Sequence, residues 1–395
     1  PLTAEQSQDL TRLLENPPIG ENRFLLDLLK NRIPPGVDDA SYVKVSWLSA
    51  IADKRTQSPL VTPLEATKLL GTMIGGYNVS VLIDLLKNND ETLADCAAKG
   101  LSKTLLIYDA FNEITNLAET NHFAKKVIQS WANAEWFTSK PILSKEITLT
   151  VFKVEGETNT DDLSPATHAT TRPDIPLHSL VMLENRAPTA LADIAELKEK
   201  GCPIAYVGDV VGTGSSRKSA INSMLWHIGN DIPYVPNKRS GGVILGGKIA
   251  PIFFNTAEDS GALPIECDIS KLNSGDVIII RPQNGTIERA QGEKNSGEIV
   301  SNFELKPITI NDEVRAGGRI PLMIGRALTD KVRHHLGLEP SDLFIRPSVS
   351  TKSSAGFTQA QKIVGRACGL PGIRPGTSCE PLITTVGSQD TTGPM

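Results

Sequence analysis

The sequence has no apolar run approaching the roughly 20 residues needed to span a bilayer, and its first residues lack the basic-then-apolar layout of a secretory leader. A cytoplasmic location without membrane contact is the expectation. A charge excess is also missing: 40 Lys and Arg against 45 Asp and Glu leave −5 at neutral pH, so no global field draws the chain to nucleic acid or anionic lipid. The five cysteines, Cys96, Cys202, Cys267, Cys368 and Cys379, are scattered and never spaced C-x-x-C, which reads as reduced thiols and not as a disulfide framework. No low-complexity tract is present. With 39% hydrophobic and 22% charged residues, the 395-residue chain reads as two or three folded units of about 100–200 residues each.

What is there changes texture twice. From Thr3 to about Pro141, apolar residues recur at three- and four-residue spacing between Pro and Gly punctuation, which predicts short helices. Leu25–Asn31 is echoed by Leu82–Asn88, as stacked helical pairs would produce, so an all-α, solenoid-like domain is expected over 1–141. Strand signals begin at Glu146–Phe152, alternating and β-branched. They continue at Pro203–Gly208, Gly242–Leu245 and a hairpin around Asp276–Ile280, with a helix over Ser216–Ile228, which predicts an α/β layer domain over 142–346. A Ser/Thr/Lys/Gly stretch at 348–356 reads as a linker, and Thr358–Ala367 as an amphipathic helix opening a third unit, 347–395. The chain starts at Pro1 without an initiator Met and stops soon after a polar run, so a piece of a longer polypeptide is expected.

The segment Gly208-Asp-Val-Val-Gly-Thr-Gly-Ser215-Ser216-Arg217-Lys218-Ser219 lies between an apolar strand and a helix. Glycines let backbone approach a ligand, the helix start offers unpaired N–H groups, and Arg217 adds a carboxylate fork. A hydroxyl held there loses its proton more readily. The Walker pattern and the dinucleotide fingerprint both fail, the latter because Arg217 stands where a third Gly belongs. A plain helix cap by Ser215 or Ser216 explains the same residues, and the local pattern leaves both readings open.

Gly-Ser-Ser-Arg after a glycine turn resembles the swivelling-domain loop of the aconitase superfamily, which includes the isopropylmalate isomerases. Gly156–Pro165, with its Thr-Asp-Asp-Leu-Ser-Pro, and Ile249–Thr256 followed by Gly261–Ile265 are similar to that domain's other signatures. Lys218-Ser219 replaces the wider family's Glu-His, which resembles the bacterial B-type aconitases, as does the order of domains. The resemblance implies a HEAT-like helical domain, an α/β swivelling domain with a mixed sheet flanked by helices, and the start of an iron-sulfur catalytic domain.

It also implies a hydro-lyase that isomerises citrate to isocitrate through cis-aconitate in the tricarboxylic acid cycle, with a 2-methylisocitrate dehydratase activity as a further possibility for the full enzyme. Ser215 is then the proton-abstracting base, while Arg172, Ser216, Arg217, Gln389, Asp390 and Thr391 bind substrate. A 4Fe-4S cluster is implied in the full enzyme, with its ligands on the remaining catalytic domains. Cys368 and Cys379, flanking a Gly-Leu-Pro-Gly turn, lack both the spacing and a third partner for that role. Asp161 and Asp162 read as turn or cap residues, and His334-His335 as solvated side chains on a basic helix. The alternative reading is an RNA-binding or homodimerising regulatory module that takes mRNA through clusters such as Lys238-Arg239.

Overall fold

Nine α-helices come first among the described residues: α1 (Ala4–Glu15), α2 (Arg23–Lys30), α3 (Ala40–Ala52), α4 (Pro63–Leu70), α5 (Val79–Leu85), α6 (Glu91–Ser102), α7 (Phe111–Leu117), α8 (His122–Ala132) and α9 (Glu135–Thr138). The computed structural model describes all residues except 1, 21, 34–37, 108–109, 216–217, 293–294, 349–353, 378 and 388–395. Capping boxes start α1 (Thr3 with Gln6) and α4 (Thr62 with Glu65), satisfying N–H groups that a helix leaves orphaned. The helices pack in series, α1 on α3, α3 on α4, α4 on α6 and α6 on α8. At the α4/α6 crossing a Cβ on Gly71 would lie 2.9 Å from the Gly100 Cα, so backbone touches backbone there. The sequence echo falls on α2 and α5, but the two bury differently. Only Leu29 is buried in α2, whereas Val79, Leu82, Ile83 and Leu85 are buried in α5.

The sheet that comes next has seven strands in the order β6-β5-β2-β1-β7-β8-β9. They are β1 (Ile147–Asn159), β2 (Ile204–Thr213), β5 (Val243–Ile249), β6 (Leu263–Glu266), β7 (Val277–Arg281), β8 (Thr286–Arg289) and β9 (Ile299–Asn302), with β3 (Asn230–Ile232) and β4 (Val235–Ser240) forming a separate ribbon. Strands β1, β2, β5 and β6 run parallel, and β7–β9 add an antiparallel meander beside β1. The crossovers carry α10 (Thr160–Leu163), α11 (Ile175–His178), α12 (Ala190–Lys198), α13 (Lys218–Ile228) and α14 (Pro251–Asp259). Alternation divides the core by face: Phe152, Ile204 and Tyr206 meet Ile221, Met224 and Phe253 of the helices, while Val151, Ala205 and Val207 join Ile278 and Ile280 on the other side.

Two more helices, α15 (Ile310–Ala316) and α16 (Arg319–His335), lead back to the helical layer. Leu328 and Val332 of α16 enter its core, and the buried Trp136 indole donates to Thr329 Oγ1 at 3.0 Å. By contact density all this forms one unit, Pro1–Lys306 with Ile310–Leu343.

The second unit, Pro307–Thr309 with Phe344–Met395, holds α17 (Gln359–Ala367), started by a Thr358/Gln361 capping box. Inside it Arg374 stacks 4.2 Å from the Phe357 ring centroid, and Leu382 N–H donates to the Ala367 carbonyl.

Candidate functional site

Three parallel strands end side by side. Asn159 of β1 is paired with Thr213 of β2, and Val211 of β2 with Ile249 of β5, so the segments after each strand emerge at one sheet edge. Such carboxyl edges are where open α/β sheets bind ligands. After β1, Asn159 and Asp162 cap α10 reciprocally, with Asn159 N–H donating to Asp162 Oδ2 at 2.8 Å. After β2 come Gly214 and the exposed Ser215, ahead of α13. Gly214 has φ +91°, and a Cβ on it would meet Thr160 Oγ1 at 3.3 Å, which places this bend against the start of α10.

The strand itself runs further than its glycines suggest. Although the strand reads from the sequence as ending at Gly208, β2 continues to Thr213. Gly212 carries the positive φ, +79°, and packs under the Phe253 ring.

A buried polar cluster ties these segments together. Ser164 Oγ lies 2.8 Å from His178 Nε2, 2.7 Å from Ser219 Oγ in the first turn of α13, and 3.2 Å from Arg172 Nε. Arg172 also donates through Nη2 to the Ser164 carbonyl at 3.4 Å, and His178 Nδ1 faces Thr171 Oγ1 at 2.8 Å. His178 is 1% exposed. Burial first, and then the neighbouring Arg172 cation, hold its pKa below the ordinary histidine value, so the ring is neutral near pH 7. On the other side of the helix start, Lys218 Nζ reaches Asp259 Oδ2 at 3.1 Å, and Asp259 Oδ1 accepts from Arg319 Nε at 3.0 Å. Burial pushes the Asp259 carboxyl up, but these two cations outweigh it and hold the group below its ordinary range.

Arg172 therefore reaches the first turn of α13 through Ser164 and Ser219, while Ser215 approaches that helix from the next crossover. Arg172 is half-buried and engaged with Ser164, unlike a solvated arginine before a turn proline. Ser216, Arg217, Gln389, Asp390 and Thr391 lie outside the described residues. Asp162 is a cap and Asp161 is exposed, as a turn reading expects. His334 and His335 are exposed on α16. The roles of Ser164, His178 and Ser219 are not visible in the sequence, because their partners come from positions 14 and 55 residues apart. The one local signal is Ser164-Pro165 at the end of the capped turn.

A four-iron four-sulfur cluster needs three converging thiolates. Among the described residues no three His, Cys, Asp or Glu side chains converge as a metal site. Burial and then the neighbouring Cys379 push the Cys368 thiol up, and Cys267 is buried with its thiol pushed up to about 11 by burial. The described side chains do not fit such a cluster.

The family model described as Aconitate hydratase 2 N-terminus matches residues 149–357, and that described as Aconitate B N-terminal domain matches residues 1–137. Aconitate hydratase B of Synechocystis sp. is 65% identical over all of this chain and 45% of its own length; the Escherichia coli and Helicobacter pylori proteins of that name are 58% and 53% identical, each over 46% of its length. Among solved structures, a 3-isopropylmalate dehydratase from Methanocaldococcus jannaschii overlaps 47% of this chain and 98% of its own at 18% identity and a TM-score of 0.34, too slight to argue from. The chain spans a little under half the length of its curated relatives, and by the family model that matches more than half of it the chain belongs to the aconitate hydratase 2 (aconitase B) family.

Proposed function

We propose that this chain supplies the substrate-gripping, proton-abstracting part of an aconitate hydratase that isomerises citrate to isocitrate through cis-aconitate in the tricarboxylic acid cycle. In this reading 1–141 is a HEAT-like domain, 142–346 the swivelling domain and 347–395 the entry to the catalytic domains. Those further domains of the polypeptide bring the 4Fe-4S cluster, which supplies a Lewis acid for the departing hydroxyl.

Ser215 removes the proton from the carbon beside a substrate carboxylate. Arg172, Ser216 and Arg217, with Gln389, Asp390 and Thr391, bind carboxylates. One observation carries the reading. Arg172 is braced on Ser164, which bonds Ser219 in the first turn of α13, and the exposed Ser215 leads toward that helix from the carboxyl edge of three parallel strands. A helix start stabilises an anion by about 0.3–1 kcal/mol, less than one pK unit at about 1.4 kcal/mol each. The helix alone therefore does not ionise a serine. The cations around it, in a site closed to water by the rest of the polypeptide, must provide the remainder.

Ser215→Ala in the complete enzyme should lower kcat by about 10²–10⁴, with the visible absorbance of the cluster unchanged. Turnover at the wild-type rate would remove Ser215 from the mechanism. The RNA-binding alternative finds no specific support. Arg239 of the Lys238-Arg239 cluster is engaged by Asp231 at 2.9 Å and stacked 4.7 Å from the Trp226 ring centroid.

A further inference from the structure

The hydrogen bonds of Thr171, Ser164 and Ser219 with one another and with His178 give the protons around its ring an order. Thr171 Oγ1 has one proton, and it donates this to the His168 carbonyl at 2.9 Å. Its contact with His178 Nδ1 must then run the other way, with Nδ1–H donating to Thr171. In a neutral imidazole this leaves Nε2 bare, so Ser164 O–H donates to it. Arg172 Nε can only donate, and it fills one lone pair of Ser164 Oγ. With its own proton committed, Ser164 receives the Ser219 O–H on another. The direction of each bond follows from the first.

We propose that His178 is a positioning residue for the reaction: its Nδ1–H tautomer sets Ser164 as the acceptor that holds the Arg172 guanidinium and the first turn of α13 in one register. The proposal rests on the reading of Arg172 as a carboxylate-binding group. A second proton on His178 reverses the chain. Nε2–H then donates to Ser164, Ser164 turns its proton to Ser219, and the Ser219 hydroxyl loses its acceptor. An imidazolium also stands beside the Arg172 cation.

The surroundings hold the neutral ring. The charged or titratable residues on the elements packed against α11 are His168, with Arg172 directly after its 3-10 segment, Lys218 and His227 on α13, and Lys238 and Arg239 on β4. The adjoining turn Ser179–Val181 carries none, and the carboxylate of Asp174 caps α11 itself by accepting from Leu177 N–H at 3.1 Å.

The first test is nitrogen-15 NMR of histidine-labelled chain, which reads protonation at each ring nitrogen. The expected result at neutral pH is a proton on His178 Nδ1 and none on Nε2; the opposite tautomer, or a doubly protonated ring, overturns the proposal. Thr171→Val, which removes the acceptor for Nδ1–H, should move the proton to Nε2, and an unmoved proton overturns it as well. The second test is kinetic, in the complete enzyme. His178→Gln, which cannot titrate, should raise KM for citrate about tenfold with a smaller change in kcat, and should lack the acid-side fall in kcat/KM expected of the wild type. An acid limb identical to wild type, with KM raised by Arg172→Lys but not by His178→Gln, overturns the positioning role. KM unchanged in both variants instead sinks the carboxylate reading of Arg172, and the NMR result then decides the tautomer by itself.

Discussion

Gly212 shows how one residue couples strand, helix and candidate site. Its φ is +79°, and a Cβ there would sit 2.1 Å from Phe253 Cγ on α14. Left-handed backbone costs a residue with a Cβ about 1–2 kcal/mol, and an extra carbon in a packed core about 1–3 kcal/mol. Gly212→Ala should therefore destabilise the chain by about 2–5 kcal/mol, read as a lower urea midpoint at unchanged slope. Gly214 makes a sharp control. Among the described residues its close neighbours are Thr160 Oγ1 at 3.3 Å and Thr160 N at 4.0 Å, so Gly214→Ala meets the backbone cost without a core clash. Equal losses in the two variants would show that the Phe253 contact is not what fixes Gly212. The Lys218 side chain is 64% exposed. Its link to Asp259 is worth about 0–1 kcal/mol, so it orients the helix start without contributing much to stability.

At the scale of elements, α16 is the joint between the helical layer and the sheet. Gly325 lies under the Trp136 indole, where a Cβ would come within 2.3 Å of ring carbons, and the indole N–H, buried among apolar groups, depends on Thr329 Oγ1. Thr329→Val keeps the shape and removes the acceptor, so it should cost about 1–3 kcal/mol. A melting temperature within error of wild type would rule that hydrogen bond out as a contributor. The elements themselves are largely legible in the sequence. Thr358–Ala367 and Ser216–Ile228 are readable as helices from apolar spacing, and both form within two residues of those bounds. The length of β2 is not, because the strand read from the sequence stops at Gly208 and the glycine-rich segment after it reads as the connection to the helix. Gly208 lies inside β2, where a Cβ would come 2.9 Å from Val211 Cγ2. The glycine loop and Arg172 are visible as candidates from local pattern and family resemblance. The Ser164, His178 and Ser219 contacts are not, since only the crossover topology brings them together.

Over the whole molecule, buried titrating groups pull stability in opposite directions. His178 and His227 both have pKa values below the ordinary one, with burial the largest cause in each. The unfolded chain takes up their protons first, so their contribution is present above about pH 6.5 and is lost as the pH falls through the folded values. Glu258 on α14 is 3% exposed, and burial, followed by the charge of Glu313 on α15, pushes its carboxyl up to about 7. Its sign is the reverse. The folded chain keeps that proton after the unfolded one has released it, so its contribution is complete below about pH 4.5 and disappears as the pH rises through about 7. Arg319, 3.7 Å from Glu258 and also bound to Asp259, recovers part of the cost of the ionised form. Glu258→Gln, which is neutral at every pH, should therefore gain on wild type between pH 5 and pH 8 by about 1–3 kcal/mol. Urea midpoints of both proteins at the two pH values measure this directly. Parallel curves would mean that the Glu258 carboxyl is already ionised in the folded chain at pH 5, with the nearby Arg319 offsetting the cost of its burial.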